Sequence, residues 1–215
     1  MKRTLSFAFL LLLAVTAQAS VIEYTSRSAW LAAAGSVTNI DFEGIAPSGG
    51  LVHVDNGLTL SGVSFFSPAC CGGDSPALIV VSGEIPYVGA WGSGDKLQGG
   101  IEIDITLPRG VEAVGSDIMS TFTAFDPDAS STYEVVLSTG DVFENVFASG
   151  PPTRSFVGFT STAPITSLRL ISSGTFAMLD NVAFDVVPEP TPLSLFICGL
   201  IALCCLFLLT RAATG

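Results

Sequence analysis

The segment Ile101-Glu102-Ile103-Asp104-Ile105-Thr106-Leu107 alternates apolar and polar residues without a break. Successive side chains of a strand point to opposite faces, so Ile101, Ile103, Ile105 and Leu107 share one apolar face. A helix would scatter the same residues around its circumference; period two makes this a half-buried strand. Residues 133–138 and 141–147 flank Thr139-Gly140, the pattern of a hairpin closed by a two-residue turn. Further strand signals lie at 38–42, 58–66, 77–81, 110–119, 155–160, 165–172 and 175–186, divided by Gly, Pro, Ser and Asp clusters. About ten short strands in one chain predict an all-β fold, a single antiparallel β-sandwich. One short helix precedes them: Ser26 or Ser28 can cap it, Ala29 to Ala34 favour it, and Gly35 stops it. Its expected task is to cover one end of the sandwich with Trp30 and Leu31.

The two ends of the chain read differently. Lys2 and Arg3 precede an apolar run at 5–15, and Ala17-Gln18-Ala19 supplies the small-x-small site of a signal peptidase. At the other end Val187-Pro188-Glu189-Pro190-Thr191-Pro192 leads into an uncharged apolar run at 193–209, followed by Arg211. A helix over that run is about 25 Å long, at the short end of what crosses a hydrocarbon core. Arg211 flanks the span and would stay cytoplasmic, which places residues 20–192 outside. Prolines 188, 190 and 192 favour an extended spacer. The expected organisation is a signal peptide at 1–19, an ectodomain at 20–187, a Pro-Glu-Pro spacer at 188–192, a transmembrane helix at 193–209 and a cytoplasmic tail at 210–215. A plain single-pass anchor on a Pro-rich stalk, without processing, is the alternative.

Pro188, Glu189 and Pro190, the 193–209 run and Arg211 together resemble the PEP-CTERM sorting signal of exported bacterial proteins. The resemblance implies recognition by an exosortase, a membrane cysteine peptidase that cuts near the motif in bacteria making extracellular polysaccharide. Its partners would be signal peptidase, the exosortase and the membrane.

Charge narrows the function. Eighteen of the 19 carboxylates lie within 20–187 against five cations, Arg27, Lys96, Arg109, Arg154 and Arg169, a balance of −13. Such a surface repels phosphate backbones, and no basic patch with interleaved aromatics exists, so nucleic acid is excluded as a partner. Outside the apolar run and tail the only cysteines are Cys70 and Cys71. Adjacent Cα atoms lie ~3.8 Å apart, below the ~4.4 Å a relaxed disulfide needs, so no disulfide framework holds the fold. The Cys-Cys-Gly-Gly-Asp segment also lacks the second ligand pair of a zinc site. Catalytic patterns are missing too: His53 is the single histidine, and neither His-Glu-x-x-His, Gly-x-Ser-x-Gly nor a phosphate-binding Gly loop occurs. The chain is expected not to be an enzyme.

Ile40-Asp41-Phe42-Glu43-Gly44 near the start of the ectodomain and Phe176-Ala177-Met178-Leu179-Asp180-Asn181-Val182 near its end resemble the β-sandwich ectodomains of PEP-CTERM proteins. The same pairing is similar to jelly-roll carbohydrate-binding modules. That resemblance implies a structural calcium shared by Asp41 or Glu43 and Asp180. Calcium takes several oxygen ligands at ~2.3–2.6 Å, which these carboxylates and backbone carbonyls can supply. On a strand, Asp41 and Glu43 would share one face, with Phe42 on the other. The other reading of Asp180-Asn181 is a turn or edge hydrogen bonds without metal. Asp126-Pro127-Asp128 reads as a turn.

Tyr87, Trp91 and Asp95 stand in a Gly-rich stretch and form the candidate sugar-binding platform, with rings for stacking and Asp95 and Lys96 for hydroxyls. The other reading has Trp91 plugging the core. The functional expectation is an exported, exosortase-sorted cell-surface or extracellular-matrix protein with a structural or binding role. The alternative is a calcium-stabilised carbohydrate-binding module for extracellular polysaccharide.

Overall fold

The computed structural model describes residues 20–68, 78–82, 95–120, 130–150, 153–173 and 176–185. The expectations for residues 1–19, Pro188, Glu189, Pro190, Arg211, the 193–209 run, Cys70, Cys71, Tyr87, Trp91 and Asp126-Pro127-Asp128 lie outside these residues.

The chain order is β1 (Val21–Tyr24), α1 (Arg27–Ala34), β2 (Thr38–Ile40), β3 (Leu51–His53), β4 (Leu58–Leu60), β5 (Val63–Phe66), β6 (Ile79–Ser82) and β7 (Asp95–Gln98). It continues through β8 (Glu102–Thr106), β9 (Ala113–Ser120), β10 (Ser131–Leu137), β11 (Val142–Ala148), β12 (Ser155–Ser161), β13 (Ser167–Ser172) and β14 (Ala177–Phe184). These strands form two antiparallel sheets, the all-β architecture expected from the alternation. One sheet runs β1-β12-β9-β14-β7-β6-β3, with β2 also paired to β14, and the other runs β11-β10-β13-β8-β5-β4. Between them lies one apolar core. Val63, Phe65, Ile103, Ile105, Val135 and Leu170 of the second sheet belong to the same cluster as Val80, Leu97, Ile118, Phe159 and Leu179 of the first.

Strand β14 holds the first sheet together. Along one edge it pairs with β9, and along the other with β7 at Met178 and Leu179 and then with β2 at Val182 to Phe184. Seven of its eight residues are buried, so both of its faces are covered. On the outer face α1 supplies Trp30, fully buried with Ala113 and Ala183 and packed on Phe156. The Trp30 indole N–H donates to the Phe159 carbonyl at 3.1 Å. Gly158 admits this indole, because a Cβ there would sit 2.7 Å from the Trp30 ring. Ser26 caps α1 by accepting from the Ala29 N–H, and Gly35 ends it at φ 77°, as the sequence predicts. Leu31, expected to share the covering role, is instead exposed; on a helix it points about 100° away from Trp30, and only one of the two can face the sheet.

Both ends of the sandwich chain emerge at one pole. Val21 pairs with Ser161, Thr160 with Ala113, and Val114 with Phe184. The start of β1 and the end of β14 are thus separated by two strands, roughly 14 Å at about 4.8 Å per step. Hydrogen bonds tie both ends down. Ser20 N–H donates to Thr162 Oγ1 at 3.0 Å, and Asp185 Oδ1 accepts from the Glu112 and Ala113 amides.

Local departures from expectation have local causes. The single run expected at 58–66 is a hairpin, because Ser61 and Gly62 adopt positive φ (49° and 80°) and fold β4 onto β5. The strand expected at 38–42 stops at Ile40. Phe42 takes φ 60° and buries its ring against Phe65, centroids 5.3 Å apart, so the alternation that would set Asp41 beside Glu43 is lost. The hairpin loop between β10 and β11 has four residues, 138–141, closed by Leu137 N–H to the Asp141 carbonyl at 2.9 Å. Strands β1, β3 and β7 carry no alternation and were not expected.

Ile103 is fully buried in β8 opposite Leu170, whereas Glu102 faces outward and pairs with Arg169 at 2.8 Å. Ile103→Asp is expected to unfold the domain, at more than about 4 kcal/mol. Glu102→Gln loses a half-exposed pair, about 1 kcal/mol or less. Thermal melts of the two variants check this; similar tolerance of both would show that β8 does not present Ile103 to the core.

Candidate functional site

At the centre of β14 the apolar strand carries one carboxylate, Asp180, with its side chain only 3% exposed. Beside it the register against β9 shifts, and Asn181 takes φ 48°, the mark of a bulge. The bulge frees the local backbone from the ladder, and side chains take over its hydrogen bonds. Ser116 Oγ donates to the Asp180 carbonyl at 3.0 Å, and Arg27 Nη2 donates to the Asn181 carbonyl at 2.7 Å. The Asn181 amide N–H donates to Asp180 Oδ1 at 2.7 Å, and its side-chain amide to Asp117 Oδ2 at 2.9 Å.

Three cations neutralise the acids here. Arg154 Nη1 lies 2.6 Å from Asp180 Oδ2 and 3.9 Å from Asp117 Oδ2, while Arg27 Nη2 lies 3.0 Å from Asp117 Oδ1. The Arg27 guanidinium also sits over the Phe156 ring, 4.8 Å from its centroid. Lys96 of β7 is fully buried. Burial pulls its ammonium below the usual lysine range, reinforced by Arg154 and opposed by Asp180, Glu43 and Asp95. Asp180 responds in the opposite sense: burial pushes its carboxyl from 3.8 up to about 6, with Arg154 as the main opposing influence.

The residues singled out from sequence separate. Asp180 sits at the centre of this cluster. Glu43 lies at its margin, its Oε1 accepting from the Asp95 amide at 3.0 Å. Asp41 is exposed and its Oδ1 accepts from the Glu43 amide at 3.2 Å. Asp95 is 2% exposed and accepts from the Ala46 amide at 3.2 Å, a role inside the fold. Among the described residues no three His, Cys, Asp or Glu side chains are grouped to hold a metal ion. The positive charge that calcium would bring to Asp180 is supplied by Arg154, so the donor set fits an arginine better than a metal ion.

Sequence reasoning gave no site role to Arg27, Asp117 or Arg154, and it read Lys96 as a partner for sugar hydroxyls and Asn181 as part of a turn. No sequence signal joins them, because they come together only through the order of strands in the sheet. His53, on edge strand β3, is exposed and lies 3.6 Å from Asp55. No known family model matches the chain, and no curated protein matches it.

Two measurements test this electrostatic account. The folded-state value of Asp180 lies above the unfolded one. Its contribution to stability is therefore fully present below pH 4 and is lost as pH rises through about 6. Relative to Asp180→Asn, the wild type is expected to lose about 2–3 kcal/mol between pH 4 and 7 in urea titrations, at ~1.4 kcal/mol per pH unit. A difference independent of pH contradicts it. Melting curves in EDTA and in millimolar calcium are expected to superimpose, and a calcium-dependent rise would show that the metal displaces Arg154.

Proposed function

We propose that the chain is an exported cell-surface or extracellular-matrix protein, released from its signal peptide after Ala19 and sorted by an exosortase through Pro188-Glu189-Pro190. Its ectodomain has a structural or binding role without catalysis. The observation that carries this reading is the shared pole of the two chain ends. Strand β1 opens at Val21, two residues past Ala19, and β14 closes at Phe184, four residues before Pro188. Because both leave from one end of the sandwich, a spacer at 188–192 and an apolar helix at 193–209 would stand the domain upright, with the far pole turned away from the membrane.

Chemistry supports a non-catalytic role. The buried ionisable groups at Asp180 are engaged with one another, and such a cluster fixes the sheet rather than serving a reacting molecule. No helix among the described residues is long and apolar enough to cross a membrane; within this reading the anchor is the apolar run at 193–209. The second reading, a carbohydrate-binding module, draws support from open hollows on the far half of the domain. Within that reading a structural calcium would have to compete with Arg154 for Asp180.

Mass spectrometry of the mature protein tests the sorting. In cells with an active exosortase, residues 193–215 are expected to be absent, and Pro188→Ala with Glu189→Ala to leave a longer, membrane-retained form. An intact peptide ending at Gly215 as the main species contradicts it.

A further inference from the structure

Two open hollows meet on edge strand β11. The larger, about 560 Å³, is lined by Glu23, Thr25, Glu144, Asn145, Phe147 and Arg154, with neighbours from β12. The smaller, about 260 Å³, is lined by Thr132, Glu134, Glu144, Asn145 and Ser173 among others. Glu144 and Asn145 belong to both, and they form a bulge. The β10–β11 register passes from Tyr133↔Val146 to Val135↔Phe143, so both residues stand opposite Glu134. Asn145 takes φ 59°, a left-handed conformation that asparagine adopts more readily than other residues with a Cβ. Bulges on edge strands end pairing and re-aim side chains, and here the bulge sits at the junction of the hollows. Next to it Phe147 is 58% exposed, more than any other large hydrophobic residue described.

We propose that the joined hollows bind a chain of neutral polysaccharide. Phe147 lies against the apolar face of a sugar ring, and Glu23, Glu144, Asn145 and Arg154 meet its hydroxyls. The shape favours a polymer: two open hollows in series hold consecutive units, where a small ligand would need an enclosed pocket. The chemistry suits polyols, since carboxylates accept, arginine donates, and the asparagine amide does both. An exposed aromatic ring beside such groups gives an apolar surface with polar edges, matching a sugar's two-sided character. Charge selects against anionic polymers, because Glu23, Glu134 and Glu144 face one arginine on a domain that is acidic throughout. The position also fits. Ser155 of β12 lines the larger hollow while Ser161, at the other end of β12, lies at the pole of the chain ends. The inference rests on the binding role proposed above but not on sorting.

Affinity electrophoresis of the unprocessed full chain in detergent tests it, using gels cast with hydroxyethylcellulose, dextran, galactomannan or alginate. At least one neutral polymer is expected to retard the protein. Phe147→Ala and Glu144→Gln should each weaken that retardation at least fivefold with melting unchanged, and Phe147→Tyr should preserve it. Arg154 is left in place because it also holds Asp180. Absence of retardation by all three neutral polymers, retardation that survives Phe147→Ala, or equal retardation by alginate overturns the proposal. The assay needs no exosortase, so failure of sorting and failure of glycan binding are read separately.

Discussion

A strand buried on both faces tolerates a charge only if the charge is matched, and β14 carries Asp180 at its middle. Everything next to it follows from that requirement. Arg154 approaches to 2.6 Å, Arg27 engages both Asp117 and the bulged backbone at Asn181, and Lys96 is fully buried in the adjoining strand. Breaking such a pair leaves a buried charge without its counter-ion, about 3–5 kcal/mol, which is a large part of a domain's stability. The bulge has a topological consequence as well. It divides β14 so that β7 pairs with the first part and β2 with the last, and one strand joins three parts of the chain.

The sheets were legible wherever one face is polar. In β8, Ile103 and Ile105 alternate with Glu102 and Asp104, and the structure buries the former and leaves the latter facing outward to Arg169. Strand β7 was illegible because Asp95-Lys96-Leu97-Gln98 has a single apolar residue. Its pairing with β6 and β14 makes it a strand, and its burial obliges Asp95 and Lys96 to find internal partners. Propensity gave way to tertiary context there. The Asp41-Phe42-Glu43 segment misled in the opposite way. Its alternation looks like a strand, but the pairing with β14 ends at Ile40, and Phe42 takes φ 60° with its ring packed on Phe65.

The site was legible in one residue. Asp180 stands out as a charge inside an apolar stretch, and it is the centre of the cluster. Its partners could not be read, because Arg154, Asp117 and Arg27 lie 26 to 153 positions away and reach this part of the sheet only through the order β12-β9-β14. The bulge at Asn145 was equally hidden: asparagine tolerates a left-handed conformation, but nothing in Val142-Phe143-Glu144-Asn145-Val146-Phe147-Ala148 shows that this one adopts it. The two bulges differ in position, one inside the sheet where it gathers counter-charges, the other at an edge where it opens a surface.

The central claim, that Arg154 and Asp180 act as a matched pair on which β14 depends, is tested most directly by a double-mutant cycle. Unfolding free energies would be measured for the full chain, Arg154→Gln, Asp180→Asn and the double variant at pH 7. A coupling of about 2 kcal/mol or more is expected, with the double variant less damaged than the sum of the single ones. A coupling below about 0.5 kcal/mol, the level of an exposed pair, would contradict the account.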